Sequence, residues 1–163
     1  RGTGSIKRKR GLSVKIPPGV DTGSTLRLKG EGEEGKRGGP HGDLYVVLRV
    51  KEHEFFQRDG YDIICQVPIS FSQAALGAEI EVPTLNGTEK LTIPRGTQTG
   101  KILKLEGAGI PHVRGYGRGN QIIQVVVKTP TKLTKRQEEL LKELSEISGE
   151  EVRHKEKGFF RRS

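Results

Sequence analysis

The chain has 163 residues, a formal net charge of +9, 31% apolar residues and 23 glycines. That length fits one domain or two small ones, and so little apolar material excludes one large core and calls for thin cores with many turns. A single cysteine excludes an intrachain disulfide and a thiolate metal cluster, and the chain has neither an apolar run of about 18 residues nor a signal peptide. Both ends carry a basic run, Lys7, Arg8, Lys9 and Arg10, then Arg161 and Arg162. Such a balance permits nucleic acid or an acidic surface as partner. No aromatic residue interleaves with either run, so a stacking platform for single strands is missing, and charged linkers that keep the chain soluble are the simpler reading.

Residues 1–11 are rich in Gly, Lys and Arg, carry no period and read as a lead-in segment. Leu12, Val14 and Ile16 alternate with polar residues and predict a half-buried strand, stopped by Pro17 and Pro18, which cannot donate to a ladder. Residues 25–29 alternate again, with Leu26 and Leu28 on one face, and a Gly-rich loop of both charge signs follows over residues 30–42. Residues 44–50 (LYVVLRV) are the strongest strand signal of the first half, with Val46, Leu48 and Val50 sharing a face.

A further strand is predicted over residues 61–69, where Ile63, Cys65 and Val67 alternate and Cys65 reads as a buried structural thiol. Residues 70–76 predict one short helical turn with Ser70 or Ser72 as cap and Gly77 as stop. Residues 79–83 and 89–94 flank Asn86-Gly87, a strong hairpin signal; Asn86-Gly87-Thr88 also fits a glycosylation acceptor, but the turn explains it without secretion. After Pro130 the period becomes helical, with Leu140, Leu141, Leu144 and Ile147 on one side, a Thr134/Gln137 capping box and a Gly149 stop. The charged tail then holds Phe159 and Phe160, an apolar anchor candidate.

The chain states one stretch twice. IPPGVDTGSTLRLKGEG, beginning at Ile16, returns as IPRGTQTGKILKLEGAG at Ile93, an offset of 77 residues that also lays Gly42 on Gly119 and Val50 on Val127. A repeat this long sets the architecture: two copies of one β-rich unit, end to end. Ile123, Val125 and Val127 repeat the apolar face of Val46, Leu48 and Val50, which predicts that this face is the core. The lead-in to the second copy, residues 61–88, maps to positions that begin before residue 1, so the first copy lacks its opening hairpin. The first residue is Arg rather than Met, which suggests a piece of a longer chain.

Catalytic chemistry is not announced. Gly30-Glu31-Gly32-Glu33-Glu34-Gly35 matches a dinucleotide fingerprint, yet glutamates sit where phosphate would bind and no apolar helix follows. His41, His53, His112 and His154 lie far apart in mismatched repeat positions, without ligands at metal spacing. The repeat replaces Asp43 by Asn120 and Asp59 by Arg136, so it preserves no carboxylate pair, and no enzyme is expected.

The stretches LSVKIPPGVDTG, GDLYVVLRVKEHEFFQRDGYDI, VPISFSQAALGAEIEVPTLNG, IPRGTQTGKILKLEGAGIP and LTKRQEELLKEL together resemble the C-terminal client-binding and dimerisation region of the bacterial DnaJ family, the type I Hsp40 co-chaperones. The resemblance implies a mostly β fold: two tandem, similar β-sandwich domains followed by a short C-terminal α-helix. Residues 1–11 would be the exit of the family's zinc module, residues 12–60 an incomplete first β domain, residues 61–133 the second, and residues 134–163 a capped helix and dimerisation tail. The J domain, with its His-Pro-Asp signature, and the cysteine module through which full-length members bind zinc are absent from this sequence, so no cofactor is expected here.

The resemblance further implies a shallow apolar pocket for unfolded polypeptides, onto which Leu12 and Val46 map, with Val14 and Leu48 beside them. It implies a homodimer held by Leu140, Leu144, Ile147, Phe159 and Phe160. It also implies a cytoplasmic parent protein that works with Hsp70 in protein folding and the stress response, with no membrane partner. A basic nucleic-acid-binding β protein and an inert structural scaffold are the alternatives.

Overall fold

The computed structural model describes residues 11–153. The fold is mostly β, with short sheets and a C-terminal helix. The eight strands are β1 (Thr25–Leu28), β2 (Leu44–Val47), β3 (Gln57–Asp59), β4 (Asp62–Ser70), β5 (Ala78–Thr84), β6 (Gly87–Ile93), β7 (Ile102–Leu105) and β8 (Gln121–Lys128). Helix α1 (Phe71–Leu76) lies between β4 and β5, and α2 (Lys135–Ser148) follows β8. β1 and β2 form one two-stranded sheet and β5 and β6 another, while a four-stranded sheet runs in the order β3-β4-β8-β7.

The duplication read from the sequence recurs bond for bond. β1 pairs antiparallel with β2 so that Thr25 faces Val47 and Leu28 faces Leu44; β7 and β8 pair so that Ile102 faces Gln124 and Leu105 faces Gln121, each position shifted by 77. Leu48 N donates to Ser24 O at 2.8 Å and Val125 N to Lys101 O at 2.9 Å. Thr22 and Thr99 occupy equivalent positions, and each Oγ1 accepts a backbone amide, Val50 N at 2.9 Å and Val127 N at 3.0 Å. Residues 44–50 were expected to be one strand, but β2 ends at Val47 and the chain beyond is held through Ser24 and Thr22, whereas β8, with the same bond to Thr99, runs on to Lys128 beside β4.

The core belongs to the second copy. Ile63, Cys65, Val67 and Ile69 from β4 pack with Ile123 and Val125 from β8, Val82 from β5, Leu91 and Ile93 from β6, Ala74 from α1 and Phe56. β4 alternates buried and more exposed residues along its length, as period-two patterning requires, and Cys65 lies on its buried face. Gln121 Nε2 reaches Pro83 O at 2.9 Å and Cys65 Sγ at 3.4 Å, tying β8 to β5 inside this core. α1 is short because Ser70 and Gln73 close a capping box at one end and Gly77 ends it at the other. The hairpin falls where Asn86-Gly87 places it, with Thr84 opposite Gly87.

None of residues 11–50 is fully buried. The strand expected at Leu12, Val14 and Ile16 does not form, and residues 11–16 have no ladder partner among the described residues. Their counterparts at the 77-residue offset lie in β6, whose partner is β5, and the counterparts of β5 are positions 1–7, outside the described residues. A strand satisfies its backbone only through a neighbour, so alternation alone does not produce one.

From Lys128 onward the described residues form a separate compact unit, whose body is α2. Thr134 Oγ1 accepts from Gln137 N at 3.1 Å while Gln137 Oε1 accepts from Thr134 N at 2.8 Å, and Gly149 closes the helix in the left-handed conformation. Exposed ion pairs Arg136–Glu139 (3.3 Å) and Lys142–Glu138 (3.5 Å) add about 0.2–0.5 kcal/mol each.

Candidate functional site

The β1–β2 sheet has two unlike faces. Leu26, Leu28, Leu44 and Val46 are half-buried on one side, and Leu48 continues that row, while Thr25, Arg27, Tyr45 and Val47 point to solvent on the other. Leu26 lies opposite Val46 and Leu28 opposite Leu44, so the apolar side chains meet as cross-strand pairs. At the equivalent positions of the second copy, Ile123 and Val125 are 0% exposed, in one core cluster with residues of β5, β6 and α1 and of the neighbouring strand β4. The first copy has no such cover among the described residues, and β2 has β1 as its one ladder neighbour there. Among the described residues, this apolar side of the small sheet is open.

Of the residues the sequence singled out, Val46 and Leu48 stand together on this face. Val14 is half-buried and Leu12 is 38% exposed, on a segment with no ladder bond to β2 among the described residues. On α2, Leu140 (48% exposed), Leu144 (42%) and Ile147 (83%) form an outward apolar row. Phe159 and Phe160 lie outside the described residues.

The turn joining β1 to the Gly-rich loop is set by Asp43. Its Oδ1 accepts from Gly30 N at 3.0 Å, and its Oδ2 accepts from Arg27 Nε at 2.6 Å. These two partners, the Gly30 amide foremost, hold the Asp43 carboxyl below the usual carboxylate range, and Asp43 in turn raises the Arg27 guanidinium. Burial pushes the Cys65 thiol up, opposed by the hydrogen bond from Gln121.

The described histidines serve the backbone and the packing, and His154 lies outside the described residues. His53 Nδ1 takes Phe55 N at 3.0 Å, His41 Nδ1 lies 3.1 Å from Gly32 O, and the His112 ring sits 4.4 Å from Tyr61. Among the described residues no group of His, Cys, Asp and Glu is arranged to hold a metal ion, and no helix is long and apolar enough to cross a membrane.

Sequence reasoning missed Arg58. Its guanidinium reaches back to the carbonyls of Gly19 and Val20, and neither periodicity nor the repeat marks it. The one available signal was its place in the short stretch between the copies, where a large charged side chain must find partners outside its own strand.

The family model for the DnaJ C terminal domain matches residues 4–130, and that for the Chaperone protein DnaJ C-terminal region matches residues 136–162. The chain belongs to the DnaJ C-terminal domain family. It is 52% identical over 159 residues to the Chaperone protein DnaJ of Acetivibrio thermocellus, covering 98% of this chain and 41% of that one. It is 58% identical over 158 residues to its counterpart in Brevibacillus choshinensis, covering 95% and 42%, and 59% identical over 145 residues to that of Geobacillus kaustophilus, covering 89% and 38%. The chain thus spans about two-fifths of the length of the curated relatives it matches.

Proposed function

We propose that this chain binds extended, non-native polypeptide segments and dimerises, as the non-catalytic client-binding part of a cytoplasmic co-chaperone that works with Hsp70. Residues 12–60 and 61–133 are, on this reading, the two β domains, and residues 134–163 the dimerisation tail. The observation that carries it is the contrast between the two copies: Val46 and Leu48 are half-buried where Ile123 and Val125 are sealed. Leu12 and Val46, with Val14 and Leu48 adjoining, supply the apolar contact.

Burying one Leu- or Phe-sized client side chain yields about 1.5–3 kcal/mol. Three such contacts would give roughly 5–9 kcal/mol, and ordering a disordered segment removes about 2–5 of it. The remainder corresponds to weak, exchanging binding, which suits a protein that passes clients onward. An exposed strand edge adds sequence-independent backbone hydrogen bonds.

The test is the affinity of Leu12→Ser and Val46→Ser for a permanently unfolded protein, read beside their urea stability. Lower affinity with an intact fold is expected, and unchanged affinity removes these residues from the site. A loss of stability on Val46→Ser as large as that on Ile123→Ser would make Val46 plain core. The net charge of +9 favours one rival, nucleic-acid binding, and salt separates the two: phosphate contacts weaken steeply as salt rises, whereas apolar client binding survives moderate salt.

A further inference from the structure

Between the two copies the chain makes a joint of unusual definition. The Arg58 guanidinium donates through Nη1 to Val20 O at 2.5 Å, through Nη2 to Gly19 O at 2.9 Å and through Nε to Gly60 O at 2.7 Å. Asp21 Oδ2 lies 3.5 Å from Nε, and the guanidinium carbon sits 5.9 Å from the centre of the Tyr61 ring. The Arg58 side chain is 20% exposed. One planar cation therefore holds two consecutive carbonyls of the first copy's turn from β3, the strand that pairs with β4 of the second copy, using the fork geometry that lysine lacks.

The other half of the joint is a glycine. Gly19 sits at φ 90° in the same turn, and a Cβ there would collide with the carbonyl oxygen of Pro111 and touch Val113. Pro111 and Val113 belong to the second copy's loop, which Tyr61 supports through a tilted ring contact with His112 and a carbonyl that accepts Ile110 N at 2.7 Å. The repeat supplies an internal control. Gly96, the counterpart of Gly19 at the 77-residue offset, also has positive φ (75°), yet nothing lies within 4 Å of a Cβ built on it. The same turn is packed where the copies meet and open where they do not.

We propose that Arg58 and Gly19 latch the two copies into one rigid body, so that the open apolar face of the first is presented at a fixed separation and angle from the second. The latch stands on geometry alone. Its consequence for clients, that a long unfolded chain touching both copies meets a preset spacing, rests on the function proposed above and follows from the avidity of linked sites.

Backbone amide dipolar couplings of the 163-residue chain in a dilute alignment medium read the joint directly. In the unaltered chain, couplings from β1–β2 and from β4–β8 are expected to fit a single alignment tensor. Arg58→Ala and Gly19→Ala are each expected to lose it, with separate tensors for the two copies. Arg58→Lys keeps the charge without the fork and is expected to behave as Arg58→Ala does. A single tensor retained in all three variants overturns the latch. So does loss of the β1–β2 fold in all three, because Arg58 and Gly19 would then be part of folding the first copy and not a joint between folded bodies. With the tensor split, Arg58→Ala is expected to weaken a long unfolded client and to spare a short peptide. Equal binding of the long client rejects the spacing consequence. Failure of the unaltered chain to bind any client rejects the proposed function and leaves the latch standing.

Discussion

Asp43 and Asn120 stand at equivalent positions of the two copies and do the same work with different charge. Asp43 Oδ1 accepts from Gly30 N at 3.0 Å, and Asn120 Oδ1 accepts from Gly107 N at 3.0 Å. Both glycines have a left-handed backbone, φ 72° and 73°, so each turn is pinned by one short side chain at the start of the following strand. The carboxylate alone adds an ion pair, to Arg27, and only the carboxylate titrates.

That difference predicts a pH dependence confined to one copy. The folded state holds the Asp43 carboxyl below its ordinary value, through the Gly30 amide and then Arg27. A carboxylate so depressed stabilises the fold at pH above the ordinary aspartate value of about 3.9, and the contribution disappears as pH falls through the folded value. The amide protection factor at Gly30, taken against the intrinsic exchange rate at each pH, should therefore fall in acid while that of Gly107 stays level, and Asp43→Asn should flatten the Gly30 response. Parallel pH profiles for the two glycines would refute this account.

A second prediction weighs the two apolar faces against each other. Ile123 is sealed in the core, so Ile123→Ala should cost about 2–5 kcal/mol, the transfer term plus a cavity. Val46 is half-buried at the equivalent position and loses fewer methyl-group contacts, so Val46→Ala should cost about 1 kcal/mol. Urea midpoints at constant slope measure both. Equal losses would mean that Val46 is covered as fully as Ile123.

Much of the fold could be read from the chain because its signals were local. Asn86-Gly87 places the β5–β6 turn, Ser70 (one of two cap candidates with Ser72) and Thr134 with Gln137 start the helices, and Gly77 and Gly149 stop them. The repeat carried further, since an offset of 77 residues fixes the register of two ladders at once. What could not be read was pairing that depends on a distant neighbour. Leu12, Val14 and Ile16 alternate as Leu91 and Ile93 do, but β6 has β5 beside it and residues 11–16 have no ladder partner among the described residues. Arg58 was invisible for a related reason: its partners are carbonyl oxygens, which every residue carries and no sequence pattern marks.

Cys65 gives a third prediction. It lies in the core with Ile63 and Val67, and burial raises its thiol while Gln121 Nε2 sits 3.4 Å from the sulfur. Reaction with a disulfide reagent needs the thiolate and an approach path, and the native core denies both. Labelling in native buffer should be slow and should accelerate sharply through the urea transition. Native labelling as fast as that of a free thiol would show that β4 and β8 open readily, in conflict with the packing described above.

The last prediction concerns α2. A helix of 14 residues is marginal alone in water, and the capping box contributes about 1 kcal/mol, so Thr134→Ala should lower its helix content measurably. Capping does not explain why Leu140, Leu144 and Ile147 recur on one outward row. A polar row would be equally helical, so the apolar one calls for a partner surface, and the proposed dimer supplies it. Leu144→Asp with Ile147→Asp keeps the caps and the Lys142–Glu138 pair, yet places carboxylates where apolar contact is proposed. Sedimentation should then show monomer at concentrations where the unaltered chain is dimeric, with helix content little changed. An unaltered sedimentation profile would remove this row from the interface.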